Sequence, residues 1–184
     1  MNENYAHPAM PKGAEQGILK GMYLLHAGGR GKVRVNLFGS GTILREVMTA
    51  AEILERDYGV PADIFSATSY SELRREALDI ERRNLLHPDQ PAQQSYVRQV
   101  LGDRTGPFMA ASDYMKIVPD QIRQWVPGRF IVLGTDGYGR SDSRAQLRRH
   151  FEVDAQHIVL ASLCAVADEG KLDVATVKLA MKKV

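Results

Sequence analysis

Between residues 132 and 144 the chain reads VLGTDGYGRSDSR, a short apolar strand running into a loop crowded with small and charged residues. Gly134, Gly137 and Gly139 open backbone conformations closed to other residues. Asp136 and Asp142 can fold back on main-chain N–H groups or receive an arginine. Arg140 and Arg144 can grip a carboxylate through a fork of donors. Ser141 or Ser143 can cap the following RAQLRRHF, and Thr135, Tyr138 and His150 belong to the same candidate surface. Such a loop can cradle an anion or substrate, or present a shaped face on which another chain docks. It can also be a rigid turn that satisfies only itself. In an open α/β sheet, loops at the carboxyl ends of strands are where ligands bind.

A second glycine-rich turn, LFGSGT, follows a strand and opens a helix, so its backbone N–H groups can face an anion. Its members are Gly39, Ser40, Gly41 and Thr42. The dinucleotide fingerprint fails here, because Leu44 stands where the third glycine belongs. The triphosphate loop fails too, since Gly-Lys-Ser and Gly-Lys-Thr are absent from the chain. Ser40 does not match the nucleophile elbow, which needs G-x-S-x-G. The plain alternative is a tight turn that lets the helix pack closely on the sheet.

Other chemistry is sparse. The histidines are His7, His26, His87, His150 and His157, and no two have the i, i+4 spacing of a helical metal pair. We therefore assign no metal ligands and no catalytic residues; neither a nucleophile–base pair nor paired carboxylates stand out. Cys164 lies in the apolar run IVLASLCAVA and reads as a small buried hydrophobe.

The elements that must position these residues follow from periodicity. KGMYLLHA, KVRVNLF, PADIFSAT, GPFMAAS and RFIVLGT read as strands. KVRVNLF alternates Val33, Val35 and Leu37 with Lys32, Arg34 and Asn36, which predicts a strand buried on one face. A helix is predicted from a Thr42 cap to Gly59, and another opens on Ser71 and stops before Pro88. DYMKIVPDQIRQWV reads as a helix interrupted near Pro119. SRAQLRRHF, DAQHIVLASLCAVADEG and DVATVKLAMKK follow as helices, with Asp154 and Asp173 as caps of the last two. Residues 1–13 read as an extended arm, and 14–184 as a single α/β domain. Alternating strands and helices predict a sandwich with a mainly parallel sheet, and the first strand, returning through a short turn, is expected to pair antiparallel.

Bulk composition narrows the function classes. A chain of 184 residues that is 44% hydrophobic and 25% charged suits one globular core. A net charge of +2, with bases interleaved among acids as in ELRREALDIERR, argues against a nucleic-acid partner. No stretch approaches the ~20 apolar residues of a membrane helix, and the N-terminus lacks a signal-peptide core. A single cysteine is compatible with a reducing compartment, so the expected location is cytoplasmic, with no membrane partner.

Four stretches together closely resemble one family: NENYAHPAMPKGAEQGILKGMYLL, LFGSGTILREVMTAAEILERDYGV, NLLHP and VLGTDGYGRSDSRAQLRRHFEVDA. They are similar to the C-terminal domain of the homodimeric bacterial pyruvate dehydrogenases, the decarboxylating first component of the complex, itself similar to transketolases. GTDGYGRSDSR followed by LRRHFEVDA is highly specific, whereas GSGT alone is not. The resemblance implies a three-layer α/β/α sandwich with a five-stranded sheet whose first strand is antiparallel. It also implies that the complete enzyme uses thiamine diphosphate and magnesium, decarboxylates pyruvate, and passes acetyl to the lipoyl group of the dihydrolipoyl acetyltransferase component.

The departures from that family shape the expectation. Its cofactor motif is Gly-Asp-Gly followed by an asparagine pair, and this chain has no Gly-Asp-Gly. GTDG comes near, but Asn2, Asn4, Asn36 and Asn84 all precede it. The family's activating glutamate and active-site histidines lie in earlier domains, and Met1 falls inside the family's longer chain. The expectation is thus an excised domain or short reading frame that binds no cofactor by itself. It would supply dimer-interface and active-site-framing loops to the remainder of the dehydrogenase polypeptide. The alternative is a stand-alone α/β domain that binds a phosphorylated small molecule at its two glycine-rich loops.

Overall fold

The computed structural model describes residues 8–184. Residues 1–7 of the expected arm, His7 among them, lie outside that range. Five strands form one sheet in the order β1-β3-β2-β4-β5: β1 Met22–His26, β2 Val35–Gly39, β3 Ala62–Ala67, β4 Phe108–Ala111 and β5 Phe130–Leu133. All neighbours run parallel except β1 against β3. The sheet is the mixed five-stranded α/β arrangement expected.

Two expectations about the strands need correction. The first strand is antiparallel, but its partner is β3 and not the next strand in sequence. The glycine-rich segment after β1 crosses the sheet end, where Gly28 donates its N–H to Asp63 at 2.9 Å, and delivers the chain to a central position. There β2 is buried on both faces, unlike the one-sided strand its alternation predicts. Asn36 sits in the core and donates from Nδ2 to the Thr105 carbonyl at 3.0 Å. A central strand between two helical layers has no solvent face, so a polar residue there must find an internal acceptor.

Alternate residues feed the two cores, as the period of a strand requires. Val35, Leu37, Ile64, Met109 and Ala111 pack under α2 (Leu44–Tyr58), α7 (Ala155–Asp168) and α8 (Val174–Met181). Phe38, Phe65, Phe108 and Phe130 face the opposite layer, which contains α3 (Tyr70–Leu86) and α4 (Tyr96–Leu101). Phe38 is the hub of this second core: it stacks on Phe65 at 5.1 Å and meets Phe130 edge-on at 5.9 Å.

Local capping explains most helix starts. Ser143, Asp154 and Asp173 accept N–H groups at the starts of α6 (Arg144–His150), α7 and α8, as their types suggest. Gly59 closes α2 in the left-handed conformation. The Thr42 and Ser71 caps are not made. A short 3₁₀ turn over Gly41–Ile43 precedes α2, and Ser69, two residues earlier than expected, caps α3. The segment around Pro119 forms only a single turn, α5 (Ile117–Asp120), followed by a 3₁₀ turn over Arg123–Trp125. A six-residue helix, α1 (Glu15–Lys20), completes the set. No helix among the described residues is long and apolar enough to cross a membrane.

Candidate functional site

The parallel strands β2, β4 and β5 point their carboxyl ends at one rim, and both glycine-rich loops meet there. The Ser40 hydroxyl donates to Ser112 Oγ at 2.9 Å in a buried contact that ties the loop after β2 to the loop after β4. Ser112 Oγ also accepts the Tyr114 N–H at 3.1 Å. Thr135, after β5, donates its hydroxyl to the Asp113 carbonyl at 2.8 Å and its N–H to the Tyr114 carbonyl at 2.9 Å. Asp136 Oδ1 accepts the Lys116 N–H at 2.9 Å. Gly134 makes this stitching possible, because a Cβ there would lie 2.7 Å from the Tyr114 carbonyl oxygen. Gly137 then turns the loop outward at φ +96°.

Beyond that seam lies a cleft of about 330 Å³. It is lined by Thr42, Asp113 and Thr135 and by Arg140, Arg144 and Arg148, with Ile43, Leu147 and Phe151 among its apolar residues. Glu46, in the first turn of α2, accepts Arg148 Nη1 at 2.8 Å and the Ala155 N–H at 3.0 Å. It thereby fixes α6 and the start of α7 against α2. Arg140 has no hydrogen bond, ion pair or ring contact among the described residues.

The loop residues singled out in the sequence divide between two surfaces. Thr135, Gly139, Arg140 and Arg144 line the cleft, Gly134 is buried in the seam, and Asp136 latches it. Asp142 accepts the Ser143 N–H at 2.6 Å, Ser141 is exposed, and His150 packs edge-on against Phe151 at 4.9 Å, so none of these three lines the cleft. Tyr138 stands 96% exposed, and Tyr114, Met115 and Ile117 on the stitched neighbouring segment are 60%, 54% and 62% exposed. Of the GSGT turn, Gly39 ends β2 and Ser40 is spent on Ser112, while Thr42 Oγ1 donates to Asp113 Oδ2 at 3.4 Å. That carboxylate faces the turn and makes it a poor seat for an anion. Sequence reasoning missed Asp113, Leu147, Arg148, Phe151 and the exposed Tyr114–Ile117 segment. The position of Asp113 just past the carboxyl end of β4 was the available signal.

The hydroxyl and carboxylate that meet in the site are the exposed Thr42 Oγ1 and Asp113 Oδ2, at 3.4 Å. The Cys164 thiol lies elsewhere, on α7, and burial, aided by Asp168, pushes its pKa up, which keeps it protonated. Among the described residues no three of His, Cys, Asp or Glu gather to hold a metal ion. Guanidinium groups outnumber the single carboxylate lining the cleft, and a divalent ion with its diphosphate needs the reverse on its metal side. The residues here do not fit magnesium-bound thiamine diphosphate.

Comparison with known proteins agrees with the fold. The family described as the transketolase-like TK C-terminal domain matches residues 21–154. The pyruvate dehydrogenase E1 component of Pseudomonas aeruginosa is 56% identical over 185 residues, a match covering 100% of this chain and 21% of that protein. The E1 component of Escherichia coli K12 is 50% identical over 184 residues, covering 100% and 20%. The chain spans about a fifth of the length of these curated relatives. A solved transketolase from Leishmania mexicana superposes with a TM-score of 0.55 at 15% identity, over 83% of this chain and 19% of its own, which is a likeness of fold.

Proposed function

The chain belongs to the transketolase-like C-terminal domain family, and on that premise we propose that it serves as the C-terminal domain of a pyruvate dehydrogenase E1 component. The observation that carries this reading is the 56% identity to the Pseudomonas aeruginosa E1 component across the whole chain. In this reading the longer polypeptide decarboxylates pyruvate and hands acetyl to the lipoyl groups of an acetyltransferase component in the cytoplasm. Thiamine diphosphate and magnesium are held by its other domains, and this domain performs no chemical step.

Its contribution is a surface. The stitched loops after β4 and β5 hold Tyr114, Met115, Ile117 and Tyr138 out into solvent on a backbone fixed by four hydrogen bonds, two donated by Thr135 and one each accepted by Ser112 and Asp136. Large apolar side chains held out on rigid loops are what a homodimer interface buries. The same loops would frame the mouth of the active site in the assembled enzyme. In this reading residues 14–184 act as one domain.

Light scattering of the 184-residue chain at rising concentration tests this. Its mean mass is expected to climb, and the double substitution Tyr138→Asp with Met115→Asp is expected to hold it at the monomer value. Asp136→Ala, which releases the latch on Lys116, is expected to weaken association less. A wild-type chain that stays monomeric at every concentration would count against the surface.

A further inference from the structure

We propose that the cleft beyond the seam is a binding site for a small organic anion, its phosphate or carboxylate head held by Arg140 and its body lying against Leu147 and Phe151. The site uses other side chains of the loops that carry the apolar surface, and the proposal does not depend on the chain's role in a dehydrogenase.

Position comes first. The connection leaving β2 goes to α2 on one face of the sheet, and the one leaving β4 goes to α5 and the Ile122–Trp125 segment on the other. The Ser40–Ser112 bond marks where the two part. Where neighbouring connections diverge, the strand ends leave a crevice, and open α/β sheets bind ligands there.

Charge decides the class of ligand. Three guanidinium groups line the cleft against the one carboxylate of Asp113. Asp113 is turned toward Thr42, on the side of the GSGT turn. Arg148 is tied to Glu46, which holds that wall in place. Arg140 is the group with spare capacity: its fork of donors is always charged, and no described residue engages it. A cation would meet the uncommitted guanidinium of Arg140 here, and a neutral ligand would leave that fork unused.

Size and lining set the rest. At about 330 Å³ the cleft lies near the lower end of small-molecule sites, room for roughly a dozen heavy atoms. Ile43, Leu147, Phe151 and Val153 offer an apolar wall behind the charged rim. Two other cavities lack this combination. The one beside β1 and α2 presents Glu52 and Glu55, and the one over Ile131, Leu133 and Cys164 is almost entirely apolar.

Isothermal titration calorimetry of the full 184-residue chain at fixed ionic strength provides the test, with phenyl phosphate, benzoate and benzyl alcohol as probes. At least one of the two anions is expected to saturate, and the uncharged alcohol is not. The tighter anion identifies the head group, phosphate or carboxylate. Arg140→Ala is expected to weaken binding about tenfold or more, Arg140→Lys less, and the exposed Arg74→Ala on α3 not at all. Because Arg140 has no hydrogen bond, ion pair or ring contact among the described residues, its variants should melt with the wild type, which separates lost binding from lost structure. Failure of both anions to saturate overturns the proposal, as does wild-type affinity in Arg140→Ala or an equal loss in Arg74→Ala.

Discussion

Tyr70, the first residue of α3, carries its hydroxyl into the core, where no described residue bonds it. A buried hydroxyl without a partner costs about 1–3 kcal/mol, so Tyr70→Phe is expected to stabilise the fold by ~1 kcal/mol in denaturant melts. Burial also pushes the phenol's pKa above its ordinary value of 10. The sign follows from proton counting. Above pH 10 the unfolded chain releases this proton while the folded chain keeps it, so stability falls as pH rises, by up to ~1.4 kcal/mol per unit. Tyr70→Phe removes that part of the alkaline slope. An unchanged slope in the variant would show that the hydroxyl is not held as described. Arg140 is the opposite case at this scale, a charged group that no described residue hydrogen-bonds or ion-pairs, which leaves its donors for a ligand.

At the scale of elements, the joint at Glu46 matters most. One carboxylate holds Arg148 of α6 and the first N–H of α7 against α2. Glu46→Ala is expected to cost about 1–2 kcal/mol, the side chain being partly exposed, and Glu46→Gln less, because the amide oxygen can still accept from Ala155. Chemical denaturation of both variants checks this, and equal losses would place the effect in charge alone. Such joints explain what could be read in advance. Ser143, Asp154 and Asp173 cap the helices that follow them because capping there is a local matter. Thr42 and Ser71 do not cap, because tertiary contacts moved the helix starts: Gly41 enters a 3₁₀ turn at φ +54°, and Ser69 lies closer to the end of β3. Asn36 looked like a solvent-facing residue, and only the sheet order reveals that its strand is central. The cleft was half legible. Arg140 and Arg144 lie in the conspicuous loop and Leu147 one turn further on, but Thr42 and Asp113 reach the cleft from two other connections whose meeting depends on strand order.

For the whole molecule, the rim of the sheet divides its work between a rigid apolar surface and a basic cleft, and no three metal-ligating side chains gather at either among the described residues. In the proposed role the chain contributes to decarboxylation as one part of a longer polypeptide. The most direct measurement is carbon dioxide release from pyruvate, with thiamine diphosphate and magnesium supplied, by a Pseudomonas aeruginosa E1 component whose matching segment has been replaced by these 184 residues. The account predicts that the chimera releases carbon dioxide at a rate comparable to the parent enzyme, while the 184-residue chain alone releases none. A well-folded chimera without activity, or release by the isolated chain, would contradict it.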